Sequence, residues 1–223
     1  MRALEVCREK VTSVLSGWSS KDIPIDKASY VVRDTELTGL DIKNDSIISI
    51  GAVKMRGRSI DLGSSFYRLV KPSAELRREN IVIHGITPSD LAEKPPIGEV
   101  LSELIDFCRG DVIVGHFAAI DLGFIGREVR ALLNMRLQNR VLDTQRIHEW
   151  IKMNNGSFSR HYSVRSEDQS LFALAREYHV PISEGHNALS DAFITAQVFQ
   201  RLLSILPGLG LFTLKDLLRI GKP

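Results

Sequence analysis

The chain has little cysteine. Cys7 and Cys108 are the two among 223 residues, and neither belongs to a CxxC pair or a Cys/His cluster. A disulfide framework and a cysteine-based structural zinc site are therefore excluded, and both thiols read as small buried apolar groups. No apolar run approaches the length of a membrane span. Arg2, Glu5, Arg8, Glu9 and Lys10 stand where a secretory signal would need its apolar region, so the expected location is the cytoplasm, without membrane contact. Charge of one sign is scarce too, the net value being +2. Binding of nucleic acid by bulk charge is excluded, which leaves that task to local patches or bound cations. Internal repeats and low-complexity tracts are lacking.

What remains is ordinary globular material, 43% hydrophobic and 25% charged, long enough to enclose one core with appendages. Leu4, Cys7, Val11, Val14 and Trp18 alternate at spacings of three and four, a narrow apolar stripe on a helix that needs a partner surface on the domain or on a second subunit. With the polar stretch that follows, it forms an N-terminal helix and linker over residues 1–29. An opening strand is expected in the stretch 31–40, its apolar run ending at Asp34 and Glu36, with two more at 47–53 and 65–70, joined around Gly57 and Arg58, as an antiparallel meander. A short helix starts at Pro88, and a longer one at 97–108 stops at Gly110. Strand 111–115, a helix from Ile120, strand 141–142 and a helix capped by Asp143 come next. The run 153–168, with Arg160, His161 and Arg165, reads as a loop, and helices at 170–179 and 187–206 follow it. Strands first and strand–helix alternation later describe an α/β three-layer domain over 30–206, its mixed five-stranded sheet flanked by helices, with an amphipathic C-terminal tail at 207–223.

Chemistry concentrates at a few carboxylates. In the stretch from Val31 to Leu40, Asp34 and Glu36 are one residue apart, so strand alternation puts both on one face and Thr35 on the other. Like charges so placed need either a divalent cation with oxygen ligands between them or a strand end that frays into a solvated acidic loop. Asp121 lies near the start of the helix after strand 111–115, and Asp191 lies in the second turn of the helix that His186 precedes. Singly, each reads as a cap or a solvated helix residue.

Together, in this order, these residues resemble the DEDDh 3′-to-5′ exonucleases, the family of the proofreading subunit of bacterial DNA polymerase III and of several RNA-trimming nucleases. The likeness spans about residues 30 to 203. It is carried by Asp34-Thr35-Glu36 with Thr38-Gly39, by Gly115-His116 with Asp121, and by His186 and Asp191 at H-x4-D spacing. Ile83-His84-Gly85-Ile86-Thr87 looks like the HGIT segment of the proofreading branch. The resemblance implies a ribonuclease H-like fold and hydrolysis of phosphodiester bonds at the 3′ end of single-stranded or frayed nucleic acid, releasing nucleoside monophosphates. It implies two divalent metal ions, Mg2+ or Mn2+, held by Asp34, Glu36, Asp121 and Asp191, whose four formal charges balance two such cations. His186 takes the proton from the attacking water, a task that suits an imidazole, neutral and basic near pH 7. A catalytically silent nucleic-acid-binding or polymerase-accessory module is the competing reading, and the intact ligand set argues against it. Expected partners are a nucleic acid 3′ end and a second copy or a polymerase-type protein docked through the terminal helices.

Departures from the family pattern fall outside the ligands. Leu37 replaces the usual Thr, Phe117 the usual Asn and Ile120 a common Phe, so the resemblance places the novelty in substrate contacts. Leu37, Thr38, His84 and Phe117 are the candidates to border the terminal nucleotide, with Leu37 and Phe117 packing on its base; the other reading of Phe117 is plain core. Arg33 stands where an apolar residue is usual and faces away from Asp34 and Glu36. A charge inside a central strand requires an acidic partner or an edge open to solvent. Asp143 reads as an N-cap, and His116 as a hydrogen-bonding group near the strand end.

Overall fold

The structure, a computed structural model, describes residues 23–155, 168–182 and 186–223. The expected N-terminal helix, Cys7, and Arg160, His161 and Arg165 lie outside the described residues.

Strands β1 (Ser29–Leu37), β2 (Ile47–Arg56), β3 (Ser59–Leu69), β4 (Val112–Gly115) and β5 (Val141–Asp143) form one sheet in the order β3-β2-β1-β4-β5. The first three make the antiparallel meander, while β4 and β5 run parallel to β1. Tyr30, Val31 and Val32 are fully buried because both faces of central β1 are covered, and such strands read as unbroken apolar runs. Val31 packs with Leu101 and Leu104 of α3 (Ile97–Phe107) and with Phe124, Ile125 and Val129 of α4 (Ala118–Leu133). Tyr30 and Val32 point the other way, into a core shared with α5 (Thr144–Asn154), α6 (Leu171–Glu177) and α7 (Ala188–Ile205). This is the expected three-layer arrangement.

Helix α7 is the main cover of that second face. Ala192 and Ala196 are fully buried on it, and the Phe199 ring meets Tyr30 edge-on with centroids 5.0 Å apart. With the 3-10 turn after it, Ala188–Leu209 is long and apolar enough to cross a bilayer by length and composition, contrary to the expectation that no apolar run reaches that length. Its apolar side is spent on the sheet.

Two further differences have local causes. Helix α1 (Arg78–His84) precedes the expected α2 (Pro88–Leu91); its Ile81-Val82-Ile83 run is β-branched and disfavours a helix by propensity, yet Gly85 at φ 70° closes it with a hydrogen bond back to Ile81. Residues 207–223, expected as a tail, pack into the main core. Leu214 and Leu217 of α8 (Leu214–Ile220) are buried, the Leu214 amide donates to Ile23, and the Asp143 amide donates to Gly221 at 2.7 Å. The apolar face of α8 is thus covered from within the chain.

Candidate active site

β1 and β4 stay in register through Tyr30↔Val112, Val31↔Ile113 and Val32↔Val114, and then β4 ends at Gly115. From Arg33 onward β1 has no strand neighbour on that side. A crevice at the carboxyl ends of parallel strands is where open α/β sheets accept ligands. On its other side β1 remains paired, Asp34 with Gly51 and Glu36 with Ser49.

Gly51 decides what can sit above Asp34. A Cβ there would lie 2.2 Å from the backbone carbonyl of Ala188 and 2.3 Å from the amide nitrogen of Leu189. Only glycine lets the first turn of α7 rest on the β1–β2 pair, and this contact carries Asp191 over the strand. A glycine inside an apolar strand is the sequence mark of such a close backbone approach. Asn187 fixes the same turn by accepting from the Leu189 and Ser190 amides at 3.1 and 3.3 Å. His186, in the left-handed region at φ 64°, donates its backbone N–H to Asp191 Oδ2 at 3.1 Å.

Carboxylate oxygens of Asp34, Glu36 and Asp191 consequently lie within 4.8 Å of one another. Burial first, then the charges of Asp121, Glu36 and Asp191, push the Asp34 carboxyl well above its usual range. Burial and the charges of Asp191 and Asp121 raise Glu36 to about 7. Burial raises Asp191 to about 6 against the opposing pull of its hydrogen bond from His186. Asp191 Oδ1 is buried with no hydrogen-bond partner among the described residues. Hard anionic oxygens, crowded and partly unsatisfied, fit a divalent cation.

Asp121 takes a different posture. It sits in the first turn of α4, whose start is pinned where Asp143 Oδ2 accepts the Ala118 amide at 2.9 Å. Thr35 donates to Asp121 Oδ1, and Arg33 Nη1 lies 3.1 Å from Asp121 Oδ2. Thr35 and Arg33 both project to the face opposite Asp34. The acidic partner required by Arg33 is therefore Asp121, and Asp121 stands outside the group of three while still raising the Asp34 carboxyl through space.

The remaining candidates surround this centre unequally. His186 is exposed, its ring edge-on to Phe172 at 5.2 Å. His84 accepts the Ile86 amide on Nδ1 at 3.0 Å, and burial followed by the nearby His186 lowers its pKa; the HGIT-like segment thus lies beside His186. Asn80 of α1 donates to the Thr38 carbonyl. The Thr38 side chain turns inward, donating to Asp45 Oδ1 and accepting from the Ser46 amide. Leu37 is half-buried against the α3–α4 side of the core. Phe117, at φ 49° on the turn into α4, is 38% exposed, so the plain-core reading fails. Asp143 spends its second oxygen on the Gln145 amide, as an N-cap should, and His116 bonds Thr144 and the Gln169 carbonyl.

Stability should report the crowding. Glu36 and Asp191 hold protons in the folded, metal-free protein that the unfolded chain has released, so unfolding free energy falls as pH rises from the ordinary carboxylate range through about 7. In EDTA the melting temperature is expected to drop between about pH 5 and 8, and Mg2+ should flatten or reverse that slope. A metal-free melting temperature that climbs over this range would mean the carboxylates are already compensated.

Comparison with known proteins settles the family. The exonuclease family model of RNase T type matches residues 31–199, more than half of the chain. The chain belongs to the exonuclease family. Among its relatives is a DNA polymerase III PolC-type protein of Thermotoga petrophila, 34% identical over 89% of this chain. A DNA polymerase III subunit epsilon-like protein of Rhodobacter capsulatus is 36% identical over 86% of it. The chain spans 14% and 26% of those two proteins, respectively. In fold it is similar to exonuclease X in complex with 5′ overhanging duplex DNA, with TM-score 0.59, 22% identity, and coverage of 86% of this chain and 98% of the other. It is also similar to E. coli exonuclease I with single-stranded DNA in a zinc-bound form, with TM-score 0.68, 16% identity, and coverage of 82% and 42%. The exonuclease match contains Asp34, Glu36, Asp121, His186 and Asp191, and α8 lies beyond it.

Proposed function

We propose that this exonuclease hydrolyses the terminal phosphodiester bond of a single-stranded or frayed nucleic acid in the 3′-to-5′ direction, releasing nucleoside monophosphates. The observation that carries the reading is the meeting of Asp34, Glu36 and Asp191 within 4.8 Å, with His186 on the turn that delivers Asp191. Asp34, Glu36, Asp191 and Asp121 would hold two divalent ions, Mg2+ or Mn2+. Such ions clamp the charge of an in-line displacement at phosphorus and make water nucleophilic near neutral pH.

The chain's own groups do the rest. The exposed His186 imidazole accepts the proton of the attacking water, and its backbone bond to Asp191 keeps the ring beside the carboxylates. Phe117 and the HGIT-like segment at His84 border the 3′ nucleotide, with Thr38 shaping the loop between β1 and β2. Leu37 closes the core beneath that loop and offers the base an apolar flank. The names of the polymerase III relatives support action beside a polymerase in the cytoplasm.

The test is a 5′-labelled oligonucleotide incubated with Mg2+ or Mn2+ and then with EDTA. A ladder shortening from the 3′ end in metal, and none in EDTA, is expected. Internal cuts, 5′-end products or no cleavage in either metal would overturn the proposal. For Phe117→Ala, loss of base stacking of roughly 1–3 kcal/mol predicts KM or kcat/KM impaired about 5- to 150-fold. Its melting temperature should hold, because the ring is partly exposed. Kinetics per folded molecule equal to the parent's would remove Phe117 from the substrate path.

A further inference from the structure

Arg33 is the residue that the exonuclease reading leaves unexplained. Its side chain is 1% exposed, and its ion-pair contact is Asp121 Oδ2 at 3.1 Å. None of its three guanidinium nitrogens meets hydrogen-bond geometry among the described residues, Nη1 included, so the contact with Asp121 is one of charge. Around it are Leu104, Ile105, Cys108, Ile113 and Ile125, enclosing a space of about 10 Å³, room for one water at most. A buried guanidinium in apolar surroundings depends on the charge of its single acidic partner. That partner is also the fourth carboxylate of the site.

Asp121 is therefore claimed from two sides. Thr35 and Arg33 hold both of its oxygens from the α3–α4 face, whereas Asp34, Glu36 and Asp191 gather on the α7 face, where Arg33 acts on Asp34 only through space. Four carboxylates match two divalent ions in formal charge, but Arg33 reduces the site to −3. The charge of Arg33 reaches the group of three only at a distance, easing Asp34, whereas it touches Asp121 directly. An ion that uses Asp121 must share it with a fixed positive charge, and the low-dielectric surroundings make that repulsion count.

We infer that Arg33 is a positioning residue that divides the centre into a strong and a weak metal site: it holds Asp121 in place in the metal-free protein, and it weakens binding of the second divalent ion. The inference rests on the two-ion reading above. Occupancy of the weak site, and with it activity, then follows the free divalent-ion concentration over a range where the strong site is already full.

Calorimetric titration of the whole chain with Mn2+ tests this, comparing the parent with Arg33→Met, which keeps the bulk in the apolar space and removes the charge. The parent is expected to bind two equivalents with well-separated affinities. In Arg33→Met the weaker dissociation constant should fall about tenfold or more while the tighter one stays unchanged. The metal-free melting temperature of the variant should drop, since Asp121 is left buried without its cation, and Mn2+ should raise it by more than it raises the parent's. A weaker constant that is unchanged or worsened, with two equivalents bound by both proteins, overturns the role of Arg33 alone. One equivalent in both proteins overturns the two-ion reading and this inference with it. If Arg33→Met does not fold, nitrogen-15 NMR of the parent guanidiniums decides: the Arg33 signal should move with the second equivalent of Mg2+ and not with the first. A signal that stays put through both equivalents overturns the inference.

Discussion

Asp34→Asn and Asp191→Asn are each expected to bring 3′-end cleavage below detection while the metal-free protein melts at the same temperature or higher. The two effects have one cause. Three buried or half-buried carboxylates share a space in which their oxygens lie within 4.8 Å; burial raises all three pKa values, and repulsion from neighbouring carboxylates adds to it at Asp34 and Glu36. An amide of the same shape cannot neutralise a divalent cation, so binding is lost. It also removes one like charge from the cluster, and each 1 kcal/mol so relieved raises the melting temperature by about 2–4 °C in a chain of this size. Asp191→Asn retains a side-chain oxygen to accept the His186 amide, so the turn into α7 is preserved. Release of mononucleotide in Mg2+ and melting in EDTA measure the two arms. Turnover near the parent's in Asp191→Asn would remove that residue from the metal set. Lower metal-free stability in both variants would mean that the carboxylates are structural acceptors rather than a strained ligand set.

How much of this could be read from the chain depends on the range of the interaction. Asp34 and Glu36 on one face follow from the period of a strand, and the caps at Ser170, Asn187 and Thr213 follow from residue type next to an apolar run. The meander and the sheet's parallel half follow from the order of elements. What periodicity cannot supply is which distant side chains meet. Thr35 and Asp121 are 86 residues apart, and no local pattern says that the end of β4 at Gly115 leaves a gap beside β1 for α4 to fill. Likeness to a family pointed to Asp121, but its ion pair with Arg33 is visible only in the packing of this chain. Gly51 carried a legible signal, a glycine within an apolar strand, whose partner became visible only with α7 in place. Helix α1 forms against the β-branched character of Ile81-Val82-Ile83, held by its glycine cap and by Asn80 on the Thr38 carbonyl. Likewise α8 looked like a detachable amphipathic piece, because nothing in its sequence names Ile23 and Asp143 as the residues that anchor it.

His186→Ala is expected to lower turnover by about 10²- to 10⁴-fold, the usual contribution of a positioned acid–base group, with little change in metal affinity. The geometry separates the ring from the scaffold. The contact of residue 186 with Asp191 is made by its backbone N–H, which alanine keeps, and the ring itself is exposed against Phe172. Truncation therefore removes the proton acceptor without withdrawing a bond from the carboxylate. Alanine does meet a conformational cost at φ 64°, since a Cβ residue in the left-handed region is disfavoured, whereas asparagine tolerates that region better. His186→Asn therefore serves as the second variant: it keeps the turn and lacks a group basic enough to take the proton. Both variants should lose turnover to a similar extent, keep the parent's Mn2+ titration, and bind a 3′ end with unchanged affinity. A titration displaced as far as that of Asp191→Asn would make His186 a metal ligand. Activity restored in His186→Asn but not in His186→Ala would make its contribution the shape of the turn rather than the transfer of a proton.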